Sequence, residues 1–196
     1  MTTTMGRGEF LSLGMKGGLA LVAGGTVLGA AAGPALGQAS GDVAIAKLAA
    51  TAELLALDVY GRAIKTGFFT GDVLAYMEAA RQNEQDHYDA LAKVLGAQAP
   101  KGVKFTYPAG TFKDAASIAK TGVALETAFV GAYLGAVEAL KDNDLKGVAA
   151  LVGANEAQHL TTFKRLAAGN TLVPNPSFPM SLTAKQATAA VTPFLA

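Results

Sequence analysis

The chain has 196 residues, enough for one domain with a sizeable core, and its formal net charge of +1 gives no electrostatic reason to bind nucleic acid or an acidic polymer. It contains no cysteine, which excludes disulfides, thiolate catalysis and thiolate metal sites, so any bound metal must sit on oxygen and nitrogen ligands. Alanine and glycine are abundant, aromatics few and tryptophan absent, a composition that suits closely packed helices.

Residues 1–39 read as an export leader. Arg7 and Lys16 precede a charge-free run from Gly17 to Gly41, and Ala35-Leu36-Gly37 offers a small-x-small cleavage pattern. The string Gly6-Arg7-Gly8-Glu9-Phe10-Leu11 resembles a twin-arginine signal that lacks its second arginine. The alternative is a retained hydrophobic helix, in which case membrane contact is confined to residues 17–37. Either way the expected location is outside the cytoplasm, in the periplasm or cell envelope.

Residues 40–169 carry the signals of four long helices. The first runs from about Asp42 to Thr66, with Ser40 as cap and Gly67 as stop. The second runs from Gly71 or Asp72 to Leu95, between a Thr70 cap and Gly96. Thr111 and Asp114 resemble a capping box for a third helix reaching about Leu140, and Asn143 caps a fourth that ends at Ala168. Each is about 25 residues, or about 37 Å, long. Between the second and third, Gly96 to Phe112 holds two prolines and three glycines and is far longer than a helix–helix turn requires. Extended, it reaches about 55 Å, enough to travel the length of a bundle. After Gly169, Asn170 to Met180 holds three prolines and reads as a surface loop. Residues 170–196 close with a short fifth helix, Thr183 to about Thr192, opened by a Thr183/Gln186 capping box, whose Val191, Phe194 and Leu195 are expected to pack onto the bundle.

Two of these helices carry the chemistry. Asn83-Glu84-Gln85-Asp86-His87 and Asn155-Glu156-Ala157-Gln158-His159 each put a carboxylate three residues before an imidazole, on one helix face, and these are the chain's only two histidines. The other two helices offer single carboxylates, Glu53 and Glu126. The halves repeat at a nearly constant offset: 73 from Glu53 to Glu126, 72 from Glu84 to Glu156 and 72 from His87 to His159. In an antiparallel hairpin, residues equally far from the turn share a height. Glu53 and Glu84 centre on the Gly67–Gly71 turn, and Glu126 and Glu156 on the Lys141–Asn143 turn, so all six residues converge. Leu54, Leu57, Leu125, Phe129, Val152 and Leu160 crowd the same faces, which buries the six. Four carboxylates with two neutral imidazoles carry a charge that matches two divalent cations, and buried unpaired carboxylates are costly without them.

Tyr60 and Tyr133 follow the single glutamates by seven residues, two helical turns on, and are placed to hydrogen-bond a carboxylate from behind. They read either as redox-active or as core tyrosines with a satisfied hydroxyl. Tyr88 faces elsewhere, and the matched Asn83 and Asn155 read as an echo of two fused hairpin copies related by a pseudo-twofold axis.

On these residues, and from about Ser40 to Ala196, the chain resembles the ferritin-like superfamily, in particular the bacterial ferritin-like proteins grouped with desiccation-related proteins. The resemblance implies an all-α, ferritin-like four-helix bundle with one long crossover between helices 2 and 3. It implies two iron or two manganese ions, bridged by Glu84 and Glu156, with Glu53 and Glu126 as terminal ligands and one imidazole, His87 or His159, on each. Haem is not expected, because Gln85 stands where bacterioferritin carries methionine, and a rubredoxin-like centre is impossible without cysteine. The implied activity is consumption of O2 or hydrogen peroxide in oxidative-stress or desiccation protection. Two alternatives stay open: an iron-storing ferroxidase built as a hollow homo-oligomer, and a structural subunit of an envelope complex whose metal only stabilises it.

Overall fold

Helix α1 (Ser40–Lys65) begins the described part of the protein, which in this computed structural model is residues 40–196. The leader expected over residues 1–39 lies outside it. Helices α2 (Gly71–Leu95), α3 (Ala115–Ala139) and α4 (Asn143–Ala167) follow, and a short α5 (Ala184–Val191) closes the chain. The architecture is all-helical. Among the described residues the only β feature is one isolated antiparallel bridge, Phe105 to Leu195.

The helices pack as two antiparallel hairpins, α1 with α2 and α3 with α4. Long runs of Ala, Leu and Val give each helix favourable propensity and an apolar face. Asp42, fully buried in the first turn of α1, accepts the backbone N–H groups of Lys141 and Asp142 at 2.9–3.1 Å. That ties the start of α1 to the α3–α4 turn, so the two hairpins share one end. Helix α3 is the one described helix long and apolar enough to cross a membrane. Here Ile118, Leu125, Phe129 and Val130 spend that apolarity on the core.

The crossover runs the length of the bundle. It leaves α2 through a 3-10 turn (Gly96–Gln98) made possible by Gly96, whose φ of +56° side chains disfavour. At that end Gln98 meets Lys47 of α1 at 2.8 Å, and Ala99 packs with Ala46 and Ala50. At the other end Ala115 shares a cleft with Phe69 and Thr70 of the α1–α2 turn. Between them Phe105 is buried, and Tyr107 donates to Asp58 at 2.8 Å while Arg62 stacks over its ring. The tail fastens over the crossover, Thr106 N–H donating to the Phe194 carbonyl at 2.8 Å and Ala196 N–H to Lys104 at 3.1 Å.

Several local expectations need correction. The α3 cap is Asp114 alone, whose carboxylate accepts the Ser117 N–H at 2.7 Å. Thr111 is occupied by the Pro108 carbonyl, which takes both its N–H and its hydroxyl. The α4 cap is Asp142 rather than Asn143, because Asp142 holds the extended backbone and accepts from Asp144 and Leu145 N–H. Thr70 precedes α2 without a side-chain capping bond. The Thr183/Gln186 capping box forms with both of its reciprocal bonds. Val191 is buried and Phe194 packs on the core, but Leu195 is 42% exposed, and what joins it to the crossover is its backbone bridge to Phe105.

Candidate metal centre

Four helices send six titratable side chains to one level of the interior: Glu53 from α1, Glu84 and His87 from α2, Glu126 from α3, and Glu156 and His159 from α4. Because α2 and α4 each carry Glu and His three apart, both side chains leave the same face and point between the hairpins. Five of the six are fully buried; only His87 keeps some solvent contact, with 13% of its side chain exposed.

The donors fall into two overlapping sets. Glu53, Glu84, His87 and Glu156 offer atoms that all lie within 4.8 Å of one another, as do Glu84, Glu126, Glu156 and His159. Glu84 and Glu156 belong to both sets, the positions that a pair of bridging carboxylates would hold. His87 Nδ1 lies 3.3 Å from Glu53, 3.3 Å from Glu84 and 3.1 Å from Glu156. His159 Nδ1 lies 2.8 Å from Glu84 and 3.3 Å from Glu156. Close as these atoms are, Glu84 Oε1, Glu126 Oε2 and Glu156 Oε1 accept no aligned hydrogen bond. Buried carboxylate oxygens left without donors are costly, and atoms that crowd together without aligning as hydrogen bonds suit a shared cation. The donor set, oxygen and imidazole nitrogen without sulfur, fits iron, manganese or zinc.

Without a cation, protons do the neutralising. Burial opposes charge on His87, but Glu156, Glu53 and Glu84 outweigh it and push its pKa up to about 12. The same contest at His159, won by Glu156 and Glu84, gives about 9. Burial alone would raise Glu156, yet His159, His87 and Glu126 hold it down at about 2. Glu53 and Glu126 go the other way, raised well above the usual carboxylate range by burial, with the charges of Glu156 and Glu84 adding to it.

The tyrosines sit behind the single glutamates, crosswise. Tyr60 of α1 donates to Glu126 of α3 at 2.9 Å, and Tyr133 of α3 donates to Glu53 of α1. Burial and the adjacent carboxylates raise both phenol pKa values well above the usual, so both remain donors. This reciprocity is the pseudo-twofold relation of the two hairpins, written in side chains. Tyr88 points away, to the Pro100 carbonyl at 2.7 Å.

Asn83 does more than echo Asn155. Its amide lies 3.4 Å from His159 Nε2, the ring nitrogen opposite the carboxylates, and so helps orient Nδ1 towards them. Its counterpart Asn155 leaves a buried oxygen without a donor. The only trace of this contact in the sequence is the repeat of Asn at the same offset in both halves.

A family model described as a ferritin-like domain matches residues 41–188, from the second residue of α1 into α5. No curated protein matches the sequence. The match spans most of the chain and all four helices that bear the cluster; the protein belongs to the ferritin-like domain family.

Proposed function

We propose that this protein is a dinuclear metal oxidoreductase of the cell envelope, acting on O2 or hydrogen peroxide. The observation that carries the reading is the pair of overlapping donor sets with Glu84 and Glu156 common to both. The residues that would hold a pair of iron or manganese ions are Glu84 and Glu156, common to both sets, with Glu53 and His87 from one set and Glu126 and His159 from the other. Such a pair supplies two electrons at once, which suits two-electron reduction of O2 or hydrogen peroxide.

The chain's own groups hold that arrangement. Tyr60 and Tyr133 keep a phenol proton on Glu126 and Glu53, fixing the rotamer of each terminal carboxylate and lowering its basicity. Burial of the four carboxylates and His159 strengthens the electrostatic contacts among them. The charge-free run after Lys16 and the Ala35-Leu36-Gly37 pattern support the envelope location.

The test is elemental analysis of protein purified without added metal, followed by peroxide and O2 turnover for wild type and Glu84→Ala. The expected result is a pair of iron or manganese ions per chain and turnover in the wild type, with both lost in the variant. Bound metal with no turnover of either oxidant would defeat the catalytic reading.

A further inference from the structure

Two cavities share the side chains of Ile45, Ala49, Tyr133 and Ala136. The outer one, about 30 Å³, lies between α1, α3 and the tail, with Leu182, Ala184 and Ala187 along its outer side. The inner one, about 20 Å³, lies among the four long helices, against Leu91, Val148 and Ala149. Apart from Tyr133, every lining side chain is aliphatic or absent. A space of about 10–15 Å³ is enough for one water, but water also needs two to four polar partners, which aliphatic side chains do not supply. Such cavities stay dry and favour apolar guests.

Their position is as informative as their lining. Tyr133 borders both, and its phenol donates to Glu53, so one side chain links the cavity walls to the carboxylate cluster. His87 borders neither cavity and is the one cluster residue with solvent contact, 13% of its side chain being exposed.

We propose that the two cavities form an entry path and resting place for a small apolar diatomic gas, with Ala49 and Ala136 as the residues that set its bore. The inference rests on the reading of the cluster as a redox metal centre. On that reading a pair of ferrous ions held by the cluster would supply the two electrons, and solvent the two protons, that convert dioxygen arriving by the path to hydrogen peroxide. Ala49 and Ala136 line both cavities, so larger side chains there would fill the space between them, and neither is one of the six cluster residues. Hydrogen peroxide, which needs polar partners, does not depend on the path.

Xenon, an apolar probe of suitable size, tests the site independently of metal. Wild-type crystals under xenon pressure should show xenon in both cavities, and Ala49→Phe should abolish it. In iron-loaded protein, Ala49→Phe should slow oxidation by dioxygen about tenfold, with oxidation by hydrogen peroxide unchanged. Ala136→Val is a smaller plug for use if the phenylalanine prevents folding, and should slow dioxygen selectively in the same direction. Absence of xenon, or equal effects on both oxidants, overturns the path while leaving the metal centre standing. Wild-type protein that binds neither iron nor manganese overturns the metal centre, and the path's function with it, whatever xenon does.

Discussion

At the residue scale, each tyrosine reaches across to the other hairpin's glutamate. Tyr60 follows Glu53 in sequence but bonds Glu126, and Tyr133 follows Glu126 but bonds Glu53. Each phenol therefore positions a carboxylate and couples the hairpins. Tyr133→Phe leaves Glu53 without its donor and should weaken metal binding about tenfold, the lower end of what removing an outer hydrogen-bond partner costs. Tyr60→Phe should do the same through Glu126. Competition with a chelating dye measures both, and circular dichroism should show unchanged helix content. Unaltered affinity in both variants would reduce the tyrosines to core packing with a satisfied hydroxyl.

At the element scale, the tail is held by what α3 lacks. Leu182 N–H donates to the Gly131 carbonyl at 2.8 Å, and the Leu182 carbonyl passes so close to Gly135 that a Cβ there would lie 1.8 Å from its oxygen. The neighbouring atom is backbone and cannot swing aside. Gly135→Ala should therefore lift residues 180–196 from the bundle and cost about 1–3 kcal/mol, the usual range for overpacking. Urea denaturation measures the loss, and faster proteolysis at the tail locates it. A similar close approach at Gly122, where a Cβ would meet the Phe163 ring at 2.4 Å, shows that α3 takes glycine wherever another element crosses it tightly.

At the scale of the whole molecule, four buried carboxylates make the fold's stability depend on what neutralises them. A cation that binds only the native state, present at about a hundred times its dissociation constant, adds about 2.7 kcal/mol. For a domain of this size that is a rise in Tm of about 5–10 °C, lost on chelation. The pH dependence of the chelated protein has a definite sign. His87 and His159 have folded pKa values of about 12 and 9 against an ordinary 6.5, so their contribution is complete below 6.5 and fades as pH rises through 9 and beyond. Glu53 and Glu126, also raised, push in the same direction above their ordinary 4.5. Glu156, held near 2, opposes them only below 4.5. The Tm of chelated protein should thus fall from pH 6.5 to 9. Metal-loaded protein should resist that fall, because cation binding displaces the same protons. Calorimetry of both forms across that range checks it, and parallel curves would indicate that the cluster exchanges no protons for metal.

Much of this was legible in the amino-acid sequence, because helical period and hairpin symmetry are local rules. The three-residue Glu-to-His spacing placed each pair on one face, and midpoints at the two turns placed all six residues at one height. The length and proline content of Gly96 to Phe112 foretold a crossover instead of a turn. What only the tertiary structure decided were contacts between residues with no fixed spacing: Asn83 against His159, Asp42 under the α3–α4 turn, Leu182 on Gly135, and the crossing of each tyrosine to the opposite glutamate. The cap positions also escaped, since Thr111 and Asp114 both suit a cap, and the Pro108 carbonyl chose between them by occupying Thr111. Periodicity sets which face of a helix is inward, but how far two packed helices slide and turn before their side chains interlock is settled by three-dimensional packing alone.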